Sequence, residues 1–339
     1  MMARMFRKRP DDGRDVVTTF LQWMFLRSVF HRGYVLASGL YFVTDAHLSA
    51  AQLVFLGTAM SVTLVLSDIP AGIWADAIGR RWPLVIGQIF LAVGMAMTGV
   101  VMAFPLIVVT QVLWGAGWAF LNGADVAWIT DELDQPDRIA RVLTASGRRD
   151  LAGGATGMVL FGVPGRATSL ATAIVVSGAG MALLALFVAA RFSERNFIPE
   201  REKRWSASLS IFRLGVSLSQ RDHEILLVFV ATMIVNAAAM VTWLFPRQLV
   251  NLGFPGDLVL WYAALGMCAS TVGFVTLHIV EARIDGVGVA RRMYALTCFI
   301  GVLGLIVLAY APDALIGSLG VLLVSGSAFN VTRTVASSG

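Results

Sequence analysis

Charged and titratable side chains stand inside apolar stretches of this chain. Arg27 and His31 are four residues apart in the first such stretch, with Arg32 beside them. That spacing puts Arg27 and His31 on one face of a helix. Asp68 and Asp125 occupy two further apolar stretches. An ionisable group in a hydrocarbon layer is costly unless it meets a cavity or a partner, and is a functional candidate by default. A carboxylate so placed suits a proton carrier, and an imidazole can exchange protons near neutrality. Arg27, His31, Asp68 and Asp125 are therefore candidates for substrate or proton binding. The alternative is structural: Arg27 and Arg32 pair with Asp68 or Asp125 to hold helices together, and His31 is packed.

A second group lies between apolar stretches, at Gly72-Ile73-Trp74-Ala75-Asp76-Ala77-Ile78-Gly79-Arg80-Arg81. Two glycines allow close backbone approach and a tight turn. Asp76 is placed to cap the N-terminus of a neighbouring helix. Arg80 can pair with an acid at the same membrane face. Ala127-Trp128-Ile129-Thr130-Asp131 ends the fourth apolar stretch and offers Asp131, and Arg138 follows seven residues on.

The pattern of glycine, small residue, Asp, Gly, Arg and Arg resembles the signature loop between the second and third helices of the major facilitator superfamily. That resemblance implies a charge network of Asp76, Arg80 and Asp131, with Arg138 in the same local pattern. In the family such a network locks and releases one state of the transport cycle. Glu281 to Arg292 is a loose second copy of the loop. Gln111 stands where the family often has an arginine linked to proton transfer. The run Gly153-Gly154-Ala155-Thr156-Gly157 offers small residues for close helix packing, without the glycine-proline arrangement of many antiporters.

These residues need long apolar elements to hold them. Of 339 residues, 57% are hydrophobic and 14% charged, with mean hydropathy +0.76. A soluble domain has about 25% charged residues. The apolar stretches reach the roughly 20 residues that cross a layer of about 30 Å as a helix. They are continuously apolar, not alternating, which excludes a barrel. The fold class is an all-α polytopic membrane protein, with helices expected over about 16–43, 50–74, 83–104, 106–130, 149–165, 167–190, 225–246, 258–280, 293–311 and 313–335. This makes a major-facilitator-type bundle of six plus four helices. Residues 1–190 form the first bundle, 191–224 a cytoplasmic linker, and 225–339 a second bundle. Within the linker, 205–218 suits either an interfacial helix or an extended chain. The resemblance implies twelve helices, so the second bundle is expected to be incomplete and a truncated product is suggested.

The net charge of +5 raises the question of nucleic acid, but the basic residues sort by side instead. Arg27 and Arg32 lie within the first helix, and Arg166 and Arg247 on one side. All the other Lys and Arg, out of 26, fall on the opposite side. The positive-inside rule makes that side cytoplasmic, with both termini there. Cys268 and Cys298 fall in separate apolar stretches, as small packing residues and not a metal or disulfide framework.

No phosphate-binding glycine-rich loop with a lysine is present, so an ion gradient or facilitated diffusion is the expected energy source. The resemblance implies a secondary transporter working by alternating access, with protons as candidate coupling ion, and the heavy use of arginine over lysine points to a bacterial cytoplasmic membrane. Export of an amphipathic compound is the first expectation and metabolite uptake the second; a truncated, non-transporting protein is a further alternative. The expected partners are the lipid bilayer and a small-molecule substrate, with no nucleic acid, no cofactor and no metal, in a monomer. Trp114, Trp118, Trp128, Trp243 and Trp261 are candidates for an aromatic pocket. A membrane enzyme would need clustered catalytic groups, and His31, His47, His223 and His278 are scattered.

Overall fold

A computed structural model describes residues 12–162, 169–196, 241–253, 256–281 and 287–336. Outside them lie Arg4, Arg7, Lys8, Arg9, Arg166, the linker from 197 onward, His223, most of the expected helix 225–246 and the centre of the loop after 281.

All regular structure among the described residues is helical. The first half holds α1 (Asp12–Thr44), α2 (Ala50–Ile78), α3 (Arg81–Thr98), α4 (Phe104–Leu121), α5 (Ala124–Leu133), α6 (Pro136–Gly162) and α7 (Leu170–Arg191). The second half holds a 3-10 turn (Val241–Leu244), α8 (Phe245–Leu252), α9 (Leu258–Glu281), α10 (Val287–Ala309) and α11 (Ala314–Ala336). By length and composition α2, α3, the α4–α5 pair and α7 can each cross a membrane.

Local chemistry fixes the helix ends. Ser49 caps α2 through a reciprocal box with Gln52. Ser169 accepts from the Thr172 N–H and caps α7. Short connections make successive segments antiparallel. One end of the bundle therefore carries Arg80, and the opposite end carries Leu48.

Several expected boundaries change. The second helix runs on to Ile78, so most of the Gly72–Arg81 stretch is helical and the turn is Gly79–Arg80. An Asp76–Arg80 pair, four apart, supports that extra turn. Gly79 then reverses the chain at φ 122°, a left-handed value suited to glycine. The expected fourth helix breaks at Asn122–Gly123, with Gly123 at φ 77°. The expected fifth helix begins much earlier, at Pro136, a residue suited to a first helical turn. In the second half α8 fills residues expected to be loop.

The helices pack in the order α2, α4, α3, α7, α1, α6. Their core joins Phe20, Trp23 and Tyr34 of α1 to Leu91 of α3, Trp128 of α5 and Met181 of α7. Gly153 and Gly157 of α6 lie where an added Cβ would meet the backbone carbonyls of Phe25 and Val29. The small-residue run thus lets α6 press directly onto α1. A smaller apolar cluster joins Phe245 and Leu249 of α8 to Leu265, Leu308, Val321 and Val324. The thiol of Cys268 is exposed on α9, which corrects its reading as a packing residue.

Candidate functional site: two ionic clusters

The first cluster centres on Arg27. It sits about 25 Å along α1 from Thr44, towards the end of the bundle that carries Arg80. Its Nη1 lies 3.4 Å from Asp125 Oδ2, with side chains 9% and 16% exposed. Its Nη2 donates to Met24 Sδ at 3.3 Å. The guanidinium lies over Trp23, 4.5 Å from the ring centroid, and 5.5 Å from that of Trp118. Cation–π attraction of this kind strengthens as water is removed.

The helix break positions Asp125. With the chain turned at Gly123, Asp125 falls in the first turn of α5, where its Oδ1 accepts from the Val126 N–H. The other oxygen remains for Arg27. His31, one turn beyond Arg27, lies against Trp114 at 5.7 Å and edge-on to Trp118 at 5.0 Å. Trp114 and Trp118 therefore both pack on His31. Trp128 instead stacks on Phe192, Trp243 on Phe42, and Trp261 donates to Ser318.

Asp68 does not join this cluster. It is exposed on α2, the least covered of the four candidate spans among the described residues, which corrects its reading as a buried carboxylate. Gln111 is fully buried and donates to Tyr34 Oη and to Thr110 Oγ1, both at 3.1 Å. Thr98 donates to Thr110 at 2.9 Å. The place of the family's arginine is thus taken by a neutral network linking α1, α3 and α4.

The second cluster lies at the Arg80 end. Arg80 pairs with Asp76, and its Nε lies 3.4 Å from Asp131 Oδ2. Gly72 has no described atom within 4 Å of an added Cβ, so the close approach expected there is not seen among the described residues. Arg138 is exposed and donates to Gln135 Oε1 at 2.9 Å, apart from the Arg80–Asp131 pair.

The sequence reading missed the segment after α7. Phe192 is buried and stacks on Trp128 at 4.0 Å. Trp128 Nε1 donates to the Ser193 carbonyl at 2.9 Å. Glu132, 6% exposed, accepts from the backbone N–H groups of Arg195 at 2.6 Å and Asn196 at 3.0 Å. Glu194 accepts from the Arg81 N–H at 2.7 Å and so caps α3. An open cavity of about 660 Å³ beside this strap is lined by Asp131, Asp134, Ile139 and Arg195 among others. Only the acidic pair Asp131-Glu132 hinted at a second partner, since these contacts are far apart in sequence.

The chain matches the family model described as Major Facilitator Superfamily over residues 17–338. No curated protein sequence matches it. Among solved structures it is similar to the nucleoside transporter NupG, at 13% identity and TM-score 0.72, covering 96% of this chain and 81% of that one. It is also similar to a bacterial homolog of the human lysosomal transporter Spinster in an inward-facing, unoccupied conformation, at 16% identity and TM-score 0.62, covering 96% and 75%. A third is a D-xylose–proton symporter, at 15% identity and TM-score 0.61, covering 94% and 80%. At such identities these structures speak to the fold. With the family model matching nearly from end to end, the chain belongs to the Major Facilitator Superfamily: it is a multi-span membrane transporter working by alternating access, and not an enzyme.

Proposed function

We propose that this transporter exports a small amphipathic compound in exchange for protons, with Arg27 and Asp125 as the groups that change partners. The observation carrying this reading is their ion pair inside the helical bundle, walled by Trp23 and Trp118. Two charges in low dielectric depend on each other, and removing either leaves the other uncompensated. Protonating Asp125 therefore frees Arg27 for an anionic or polar group of the substrate. Trp114, Trp118 and His31 offer ring faces to its apolar part. Asp76, Arg80 and Asp131 act as the gate at their own end, opening as the halves rock.

That end is cytoplasmic in this reading, in a bacterial inner membrane. Support comes from Arg80, Arg81, Arg138, Arg141, Arg191 and Arg195, which share it. The first bundle, linker and second bundle remain the working division, supported by two separate apolar clusters.

The test is flux in proteoliposomes over a panel of amphipathic compounds and metabolites, with and without a pH gradient. Uptake of an amphipathic compound into inverted vesicles, driven by an acidic lumen, is the expected result. Flux indifferent to the gradient removes the proton, and flux of metabolites alone removes the export reading.

A further inference from the structure

Among the described residues, Arg247 alone of the lysines and arginines stands at the Leu48 end, and it reaches across the molecule. From α8 its Nη1 donates to the backbone carbonyl of Leu48 at 2.6 Å, 199 residues away in sequence. That carbonyl is held firmly. The Asp45 and Ala46 N–H groups donate to the Tyr41 carbonyl, and the Leu48 N–H donates to Phe42 at 2.9 Å. Leu48 itself is 3% exposed, and Ser49 then caps α2. A guanidinium from the second half is thus docked on a rigid turn of the first.

The surroundings close the same end. Phe42 stacks on Trp243 with centroids 6.3 Å apart. A Cβ built at Gly39 would lie 3.3 Å from both Pro246 Cγ and Tyr262 Oη. One built at Gly162 would lie 2.6 Å from Ala263 Cβ. Here α1 and α6 lie directly against α8 and α9. Alternating access requires these contacts to part in the other state.

We infer that Arg247 is the positioning residue of the gate at this end, latching the second half to the α1–α2 turn through the Leu48 carbonyl. Because the latch grips main chain, it senses where the turn is and not which side chains it carries. It draws one charge-assisted hydrogen bond from whichever state brings α8 to the turn, and so biases the two-state equilibrium. The inference rests on alternating access alone, independently of substrate, direction or coupling ion.

The test measures distance, not transport. In full-length protein carrying Cys268→Ser and Cys298→Ser, spin labels are placed by Ala50→Cys and Pro312→Cys, one in each half at this end. Their separation is read by pulsed electron resonance in lipid. Arg247→Ala is expected to raise the ratio of wide to narrow species about tenfold. Arg247→Lys, which keeps a charged donor, should restore part of the narrow species. Gly39→Val, with Arg247 intact, should widen the same distance by wedging the contact. If Arg247→Ala does not fold, Arg247→Gln takes its place in the comparison. A distribution unchanged by loss of the guanidinium overturns the inference, whatever Gly39→Val does. So does one in which Arg247→Lys is as wide as Arg247→Ala.

Discussion

Arg27 and Asp125, 98 residues apart in sequence, meet at 3.4 Å inside the helical bundle, and a broken helix makes the meeting possible. Had α4 run unbroken through Gly123, Asp125 would not open a new helical turn. The pair ties α1 to α5, which also carries Asp131, so the Arg27 cluster and the proposed Arg80 gate share one element.

The pair predicts a specific stability pattern. Asp125→Ala leaves Arg27 buried without its counter-ion, and Arg27→Ala leaves Asp125 likewise. Each single change is expected to cost about 3–5 kcal/mol. The double change Arg27→Met with Asp125→Leu removes both charges and should cost clearly less than either. Thermal unfolding of the three variants in the same detergent measures this. Costs that simply add would mean that the two charges are not coupled.

The gate predicts a contrast between neighbours. Asp76→Asn, Arg80→Ala and Asp131→Asn each remove a member of the ionic triad and should abolish net flux while the protein still reaches the membrane. Being partly exposed, these pairs contribute little to stability, about 0–1 kcal/mol each. Loss of flux without loss of protein is therefore the expected signature. Arg138→Ala, whose side chain donates to Gln135 instead, should transport normally. Equal loss in Arg138→Ala would extend the gate beyond the triad.

The sequence made long apolar helices legible, because a bilayer permits little else across about 30 Å. Arg80 reaching Asp131 was legible only through the family resemblance of the Gly72–Arg81 stretch, which implied that pairing. What failed was local or remote. Nothing at Asn122–Gly123 announced the helix break, since a glycine in an apolar run carries no mark of its φ. Asp68 looked buried because the sequence of α2 cannot say which neighbours cover it. Trp23 lies four residues before Arg27 and could have been found by that spacing, but an aromatic in an apolar run reads as core. Glu132 and Glu194 bind backbone N–H groups, which no pattern of side chains reveals.

The strap after α7 yields the last prediction. Glu132 is nearly buried and takes two N–H bonds from Arg195 and Asn196, and Ser193 Oγ lies 3.4 Å from its other oxygen. Asn196 Nδ2 returns a bond to the Asp131 carbonyl at 3.1 Å. These bonds replace water that the backbone of Ser193 to Asn196 would otherwise need. Glu132→Ala strands the two N–H groups, at a cost of about 1–3 kcal/mol. Glu132→Gln keeps a carbonyl oxygen in place and should recover most of it. Hydrogen exchange over residues 192–196 reads the effect locally, with protection lost in Glu132→Ala and largely kept in Glu132→Gln. Because Asp131 shares this turn with Glu132, a loosened strap should also weaken the Arg80 contact. Protection unchanged in Glu132→Ala would mean that Phe192 stacked on Trp128 holds the strap unaided.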